Sequence, residues 1–271
     1  MSGRGPFVLA CATAVIIVAV LLGGCGGEGR DPAETMSLAA RNARDAGSVH
    51  AQMNITLAPE EGESGIGLNV QGDAWLDMAG EKLEARFTVM GMELSLRYVD
   101  KTAYLEWGGD WYYITAESIE GVGEGAVEAA VKVLVDYPDI FSSFSSVAET
   151  GEKEVGSFEC TRYELVPDTE ALLSLESVKA LAGELGMTED EIKAYIDNAN
   201  VNMEVCIQKD EPVIREVYFA VDVDLPDVGE LVGIPLLPSR ARAEIQIAFP
   251  EYGMQVEVQS PPEAKPLQGI L

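Results

Sequence analysis

Short runs in which apolar and polar side chains alternate recur along most of this chain of 271 residues. Between residues 49 and 57 every second side chain is apolar and those between are polar, the pattern of a β-strand with one buried face. Further runs of this kind follow about every 10–13 residues up to residue 115, with glycine or aspartate at the turns between them. This spacing predicts an antiparallel meander of strands.

Helical patterns interrupt the strands. A helix is predicted from Asp31, an N-cap acid followed by proline, to about Ala46, and helical spacing of apolar residues predicts others at 125–135, 171–185 and 188–198. The later strands are expected at 147–155, 157–166, 200–209, 213–225, 240–249 and 252–258. Because no repeat and no long linker divides residues 31–271, we predict a single α+β domain of about ten strands, an N-terminal helix and two helical insertions.

The first 25 residues indicate export and lipidation. An uncharged run over residues 7–22 follows Arg4, as in a secretory signal peptide, and it ends in Leu22-Gly23-Gly24-Cys25, which is similar to a bacterial lipobox. An uncleaved membrane helix is the alternative, but the run of 16 residues is shorter than the ~20 that cross a bilayer. We therefore expect a signal peptide at 1–24, an acylated Cys25 and a flexible tether at 25–30, which together place the protein on the outer face of the cytoplasmic membrane.

The charge balance excludes several classes of function. The chain has 18 Lys and Arg against 46 Asp and Glu, a net charge of −28, which repels phosphate backbones, so nucleic acid is not an expected partner. His50 is the only histidine, and the alternation puts it on the polar face of its strand. Since no serine elbow and no group of imidazole and thiolate ligands accompanies it, we expect no enzymatic activity, no metal site and no cofactor.

Two of the four cysteines, Cys160 and Cys206, lie on predicted strands of the exported part. Outside the cytoplasmic membrane thiols oxidise, and a disulfide closing a loop of this length stabilises a fold by about 4 kcal/mol. This favours a disulfide between Cys160 and Cys206. The alternative is that both are unrelated small residues of the core.

Apolar side chains on the strand faces are the remaining candidates for a function. Opposite amphipathic helices, they could line an apolar cavity between sheet and helices. The candidates are Leu68, Val70, Leu83, Phe87, Val89, Leu94, Leu96, Tyr104, Trp107, Trp111, Tyr113, Val131 and Leu134. An ordinary filled core gives the same periodicity, so a cavity and a filled core stay open as alternatives.

The order of motifs resembles the LppX/LprG-type lipid-carrier lipoproteins of the LolA/LolB-like superfamily. The resemblance lies in the helix-to-strand junction at 46–50, the strand at 101–107 followed by Asp110 to Ile114, the segment 156–163, and the closing segment 249–256 followed by Pro261-Pro262. It implies a strongly curved antiparallel half-barrel with helices over its concave face, enclosing an apolar pocket for acyl chains. The group offers no catalytic residues to transfer, and the cysteine pair departs from its pattern.

Together these observations predict a membrane-anchored bacterial lipoprotein that binds or carries lipid acyl chains, with a lipid or lipoglycan as its ligand. The alternative is a non-enzymatic envelope sensor or protein-interaction module on the same fold, with an envelope protein as its partner. A cavity between the sheet and the helices of segments 117–146 and 168–199 would favour the first of these functions.

Overall fold

The computed structural model describes residues 31–59, 67–114, 125–135, 140, 143–184, 186–198, 201–224 and 240–267. The expected signal peptide, tether and acylated Cys25 lie outside the described residues. Within the described part, no helix is both long enough and apolar enough to cross a membrane.

Helices and strands follow one another in an order close to the predicted one. The helices are α1 (Pro32–Ala46), α2 (Ala126–Val135), α3 (Thr169–Ser174), α4 (Glu176–Glu184) and α5 (Glu189–Asn198). The strands are β1 (Ser48–Pro59), β2 (Leu68–Asp77), β3 (Lys82–Val89), β4 (Met92–Val99), β5 (Thr102–Trp107), β6 (Asp110–Tyr113), β7 (Phe144–Val155), β8 (Phe158–Pro167), β9 (Val201–Gln208), β10 (Ile214–Asp224), β11 (Arg240–Tyr252) and β12 (Lys265–Pro266).

All twelve of these strands belong to one open, curved sheet, in the order β12-β6-β5-β4-β3-β2-β1-β11-β10-β9-β8-β7. Every neighbouring pair is antiparallel except β12 and β6, which are parallel. The predicted meander is confirmed as β1 to β6, and the α+β half-barrel is confirmed as the fold class. The strand expected at 252–258 is wrong, because β11 continues to Tyr252 and the chain then leaves the sheet.

The first helix begins and ends as its sequence predicts. The Asp31 carboxylate accepts a hydrogen bond of 2.8 Å from the Ala33 amide, which caps the first turn. At the other end Gly47 adopts the left-handed conformation, with φ of 73°, and closes the last turn on the Arg44 carbonyl. The helix buries one face, which includes Met36 and Ala39.

The two faces of the sheet differ. One face packs against the helices in a single core, and we call it the covered face; it carries Val49, Leu76 and Leu83 of the first three strands. The same core includes residues of α1 to α4 and of β8 to β11. We call the opposite side of the sheet the open face.

Residues 253–264 run from the end of β11 to β12, which pairs with the far edge strand β6, and we call them the C-terminal strap. The strap begins beside β1, where the Ser48 hydroxyl donates a hydrogen bond to the Met254 carbonyl. Further along, the Gln259 carbonyl accepts a bond of 3.4 Å from Arg97, on the open face of β4. The strap, β12 and Leu267, which follows β12, therefore connect the two ends of the β1–β6 meander, with Val258 and Leu267 buried.

Candidate functional site

Apolar side chains cover one end of the covered face along β1 to β5. Members on neighbouring strands are directly opposite one another: Ile55 lies opposite Val70, and Phe87 lies opposite Leu94. The set comprises Ile55, Leu57, Leu68, Val70, Phe87, Val89, Met92, Leu94, Leu96, Leu105 and Trp107, and we call it the apolar band. Each of these side chains keeps part of its surface exposed.

The covered face changes along the length of the strands. At the end where β1 begins, Leu76, Tyr98 and Ala103 are buried under the helices. Toward the other end of the same strands, the apolar band packs against this core through Ile55 and Phe87 but stays partly exposed. Since β8 to β11 bury almost all described side chains of their covered face, the apolar band is, among the described residues, the part of this face that keeps apolar surface exposed.

The structure brings together seven of the side chains predicted to line a cavity. Leu68, Val70, Phe87, Val89, Leu94, Leu96 and Trp107 all belong to the apolar band. Leu83 and Val131 are instead buried in the core, with 8% and 5% of their surface exposed, and Leu134 packs against that core from α2. These three residues therefore belong to the filled core or pack against it, and not to the apolar band.

Three predicted cavity residues lie on the other side of the sheet, and this is a correction. Tyr104 pairs with Arg97 and Tyr113, and Trp111 pairs with Glu106, all on the open face. The Arg97 guanidinium lies 4.6 Å from the centre of the Trp111 ring, a cation–π contact. The prediction grouped side chains of both strand parities, although successive residues of a strand point to opposite faces.

Four members of the apolar band were not among the predicted candidates, namely Ile55, Leu57, Met92 and Leu105. All four follow the same alternation as their neighbours, so counting every second residue from Met53, from Ala103 and back from Leu94 would have found them. Their strands were predicted, but their side chains were not assigned to the site.

Gly72 makes room for the aromatic ring in the apolar band. It lies on β2 directly opposite Phe87 of β3. A Cβ atom at this position would be 2.3 Å from the Arg86 carbonyl oxygen and 2.6 Å from Cδ1 of Phe87. Both distances are shorter than any van der Waals contact, so only glycine allows Phe87 to lie across β2 in this way.

The two cysteines are neighbours but hold no disulfide, which corrects the prediction. Cys160 and Cys206 are both thiols, buried on adjacent strands. Cys160 lies opposite Gln208, and Cys206 lies opposite Arg162, so the two cysteines are diagonal neighbours. Diagonal positions place Cα atoms about 7–8 Å apart, whereas disulfides need about 4.4–6.8 Å.

An ion pair explains why these thiols are buried on the open face. Lys153 of β7 pairs with Glu216 of β10, while the cysteines lie on the two strands between them. Glu216 also accepts a hydrogen bond of 2.7 Å from Gln246. Hydrogen bonding to Cys206 and burial raise the pKa of the Cys160 thiol above its ordinary value, which disfavours the reactive thiolate.

His50 lies on the open face, as its strand pattern predicts. Its Nε2 atom is 2.8 Å from the Asp73 carboxylate, and its ring stacks on Trp75 with 5.0 Å between centroids. On the same indole lies the Arg86 guanidinium, 5.2 Å from its centre. These contacts tie β1, β2 and β3 together. Across the described ranges, no group of three or more His, Cys, Asp or Glu side chains is arranged to hold a metal ion.

No protein-family model and no curated protein matches the sequence. Among solved structures the chain is similar to LprF from Mycobacterium bovis, with 11% identity, a TM-score of 0.46, and coverage of 83% of this chain and 96% of that one. It is also similar to the lipoprotein LppX from Mycobacterium tuberculosis, with 14% identity, a TM-score of 0.46, and coverage of 85% and 100%.

A third similar structure is the complex of MucA and MucB from Pseudomonas aeruginosa, with 8% identity, a TM-score of 0.34, and coverage of 80% of this chain and 56% of that one. All three TM-scores are below 0.5.

Proposed function

We propose that this chain is a membrane-anchored lipoprotein that binds lipid acyl chains against the apolar band. The observation that carries the proposal is the apolar band along β1 to β5, which stays partly exposed next to a part of the same face that is filled. A ligand that fits there needs apolar surface and length but no hydrogen-bonding groups, and an acyl chain has these properties.

The energetics of burial suit such a ligand. Each methylene group transferred from water to an apolar surface contributes about 0.8 kcal/mol. Burying about eight methylene groups would therefore supply roughly 6 kcal/mol before the cost of ordering the ligand is subtracted. The cross-strand pairs Val70–Val89 and Phe87–Leu94 would provide a continuous apolar floor for the chain.

The charge of the protein bears on the polar end of the ligand. With a net charge of −28, the protein repels anionic headgroups at long range. We therefore propose that headgroups stay outside the apolar band and that recognition rests on the acyl chains. The acyl anchor on Cys25 would keep the domain on the outer face of the cytoplasmic membrane, close to its lipid source.

The proposal is tested by lipid content and by uptake of a probe. The protein is purified without detergent, its organic extract is analysed by mass spectrometry, and the delipidated protein is titrated with a fluorescent 16-carbon fatty acid. We expect bound lipid in the extract and saturable uptake of the probe. A folded protein that carries no lipid and takes up no probe would overturn the proposal, as would a stoichiometric protein partner without lipid.

A pair of adjacent substitutions makes this test specific to the apolar band. Val89 lies in the band, whereas Thr88, its neighbour in β3, is exposed on the open face. We expect Val89→Glu to weaken probe binding by about tenfold or more, because a carboxylate must be desolvated when the acyl chain binds. Thr88→Glu adds the same charge and should leave binding unchanged. Equal affinities of the two folded variants would contradict the site.

A further inference from the structure

Exposed large apolar side chains are concentrated at one end of the meander. In the part of the chain that the structure describes, four such side chains stand out, and three of them are Met90, Met92 and Trp107, with 57%, 51% and 39% of their surface exposed. The fourth, Val166, is on β8, near the opposite edge of the sheet. We call Met90, Met92 and Trp107 the apolar tip.

The three residues lie at the same end of neighbouring strands. Met90 and Met92 flank the turn between β3 and β4, and Trp107 precedes the turn between β5 and β6. Because Ser95 lies opposite Glu106, continuing the register puts Trp107 level with Leu94, two residues from Met92. Both turns therefore lie at the same end of the sheet. Met92 and Trp107 belong to the apolar band as well, so the apolar tip forms the end of that band.

The apolar tip projects into open space. A Cβ atom added at Gly91, Gly108 or Gly109 would have no other atom within 4 Å. These glycines have φ of 82°, 62° and 87°, as tight two-residue hairpin turns require. Among the described residues, the space next to these glycines is therefore open, and the side chains of the apolar tip are exposed beside it.

Methionine is unfavourable at position 90 for two reasons: the backbone conformation is left-handed, and the apolar side chain is exposed to water. Its φ of 52° lies in the left-handed region, which costs a residue with a Cβ about 1–2 kcal/mol and favours Asn, Asp or Gly. Among the described residues, the other residues with positive φ that are not glycine are Glu81, Asp100 and Lys101, at the turns of the opposite end of the meander. The β2–β3 and β4–β5 turns thus carry charged residues, whereas the β3–β4 and β5–β6 turns consist of methionine and glycine.

We infer that the apolar tip docks on the surface of a lipid bilayer with zwitterionic headgroups. The inference rests on the proposed function, because a bilayer is the source from which acyl chains would reach the apolar band. Tryptophan and methionine suit this surface: the amphipathic indole of tryptophan sits at headgroup level, and the unbranched side chain of methionine adapts to irregular apolar surroundings.

The charges beside the apolar tip select the kind of bilayer. Glu93 follows Met92 and is exposed, and Glu106 precedes Trp107. Asp110, just after the second turn, is paired with Lys265 at 3.0 Å. The uncompensated carboxylates repel anionic lipids, so docking should be stronger on vesicles of phosphatidylcholine than on vesicles that also contain phosphatidylglycerol.

The test uses the full acylated protein anchored in vesicles, so that the anchor is the same in every sample. Brominated phosphatidylcholine quenches tryptophans that enter the bilayer. We expect quenching in the wild-type protein and a loss of most of it in Trp107→Phe, because Trp75 and Trp111 lie on the open face. Adding brominated phosphatidylglycerol should reduce the quenching.

A double substitution with a matched control completes the test. Met90→Glu with Met92→Glu should lower the quenching of Trp107 by at least about threefold, whereas Thr88→Glu with Ser95→Glu, on the open face of the same hairpin, should not. Quenching that is equal in wild-type protein and Trp107→Phe would overturn the inference, and so would stronger quenching on anionic vesicles. Protection of Trp107 from iodide by a bound protein, without quenching by lipid, would also overturn it.

Uptake of the fluorescent fatty acid, measured in the same preparations, separates the two proposals. Normal uptake without quenching at Trp107 means that acyl chains bind but the apolar tip does not dock. Absence of uptake means that the proposed function itself fails.

Discussion

At the scale of single residues, Gly72 decides the shape of the apolar band. The sequence places it on the covered face of β2 between Val70 and Ala74, where a larger apolar residue would satisfy the alternation equally well. The register puts Phe87 directly opposite, and the ring occupies the space that a side chain at position 72 would need. The absence of one side chain therefore fixes the position of another.

Gly72→Val is expected to lower the free energy of unfolding by about 1–3 kcal/mol, because the new side chain overlaps the Arg86 carbonyl and the Phe87 ring. Urea unfolding followed by circular dichroism measures the change. Gln71→Val, one residue earlier and exposed on the open face, introduces the same side chain without the overlap. Equal stability of the two variants would show that β2 can move away from β3 without cost.

The positions of Cys160 and Cys206 within their strands also determine that they are buried thiols and not a disulfide. We expect iodoacetamide to label Cys160 and Cys206 at least about tenfold more slowly in the native protein than in urea, because both thiols are buried beneath the Lys153–Glu216 ion pair and the Cys160 pKa is raised. Peptide mapping by mass spectrometry locates the label. Labelling of the denatured protein that requires prior reduction would show a disulfide instead.

At the scale of elements, the C-terminal strap provides a second connection between the meander and the rest of the sheet. The meander from β1 to β6 is attached to the rest of the sheet through β1 alone. The strap and β12 give it a second attachment, in which the Leu267 amide donates a hydrogen bond of 3.0 Å to the Tyr113 carbonyl. An extended segment of this kind is stabilised by its buried side chains rather than by a hydrogen-bond ladder.

Leu267→Ala should therefore destabilise the protein by about 2–4 kcal/mol, since this side chain is only 3% exposed. The largest increase in hydrogen-exchange rate is expected in β6, the strand with which β12 pairs. Lys265→Ala, in β12 but exposed, should change little, because surface ion pairs contribute little. Uniform loss of protection across the whole sheet, with none localised to β6, would contradict this role of the strap.

At the scale of the whole molecule, charge opposes the compact fold. The 46 acidic side chains outnumber the 18 basic ones, so ion pairing leaves most carboxylates without a compensating cation. Their mutual repulsion acts over distances comparable with the Debye length, about 30 Å at 0.01 M salt and about 10 Å at 0.1 M.

We expect the melting temperature at pH 7 to rise by a few degrees between 0.01 and 0.3 M sodium chloride, because screening weakens this repulsion more than it weakens the fewer surface pairs. Differential scanning calorimetry at fixed protein concentration measures it. A melting temperature that falls with salt would show that the ion pairs outweigh the repulsion.

Local patterns identified the elements of the fold well. The alternation of period two predicted every strand of the meander and the face on which His50 lies, because strand side chains point to opposite faces regardless of what surrounds them. The cap residues Asp31 and Gly47 predicted both ends of α1. The strand expected at 252–258 failed because the alternation of Met254, Val256 and Val258 also suits an extended segment that pairs with no strand.

The sequence by itself thus determined the class of fold, the strands of the meander and the strong acidity, since each follows from local periodicity or from composition. Only the tertiary structure decided how the strands pair and therefore which side chains share a surface. Pairing places Trp111 and Tyr113 away from the apolar band, sets Cys160 and Cys206 on a diagonal, and brings Met92 to the same end of the sheet as Trp107. These outcomes depend on register between distant segments, because the energy of packing belongs to pairs of strands and no single strand encodes it.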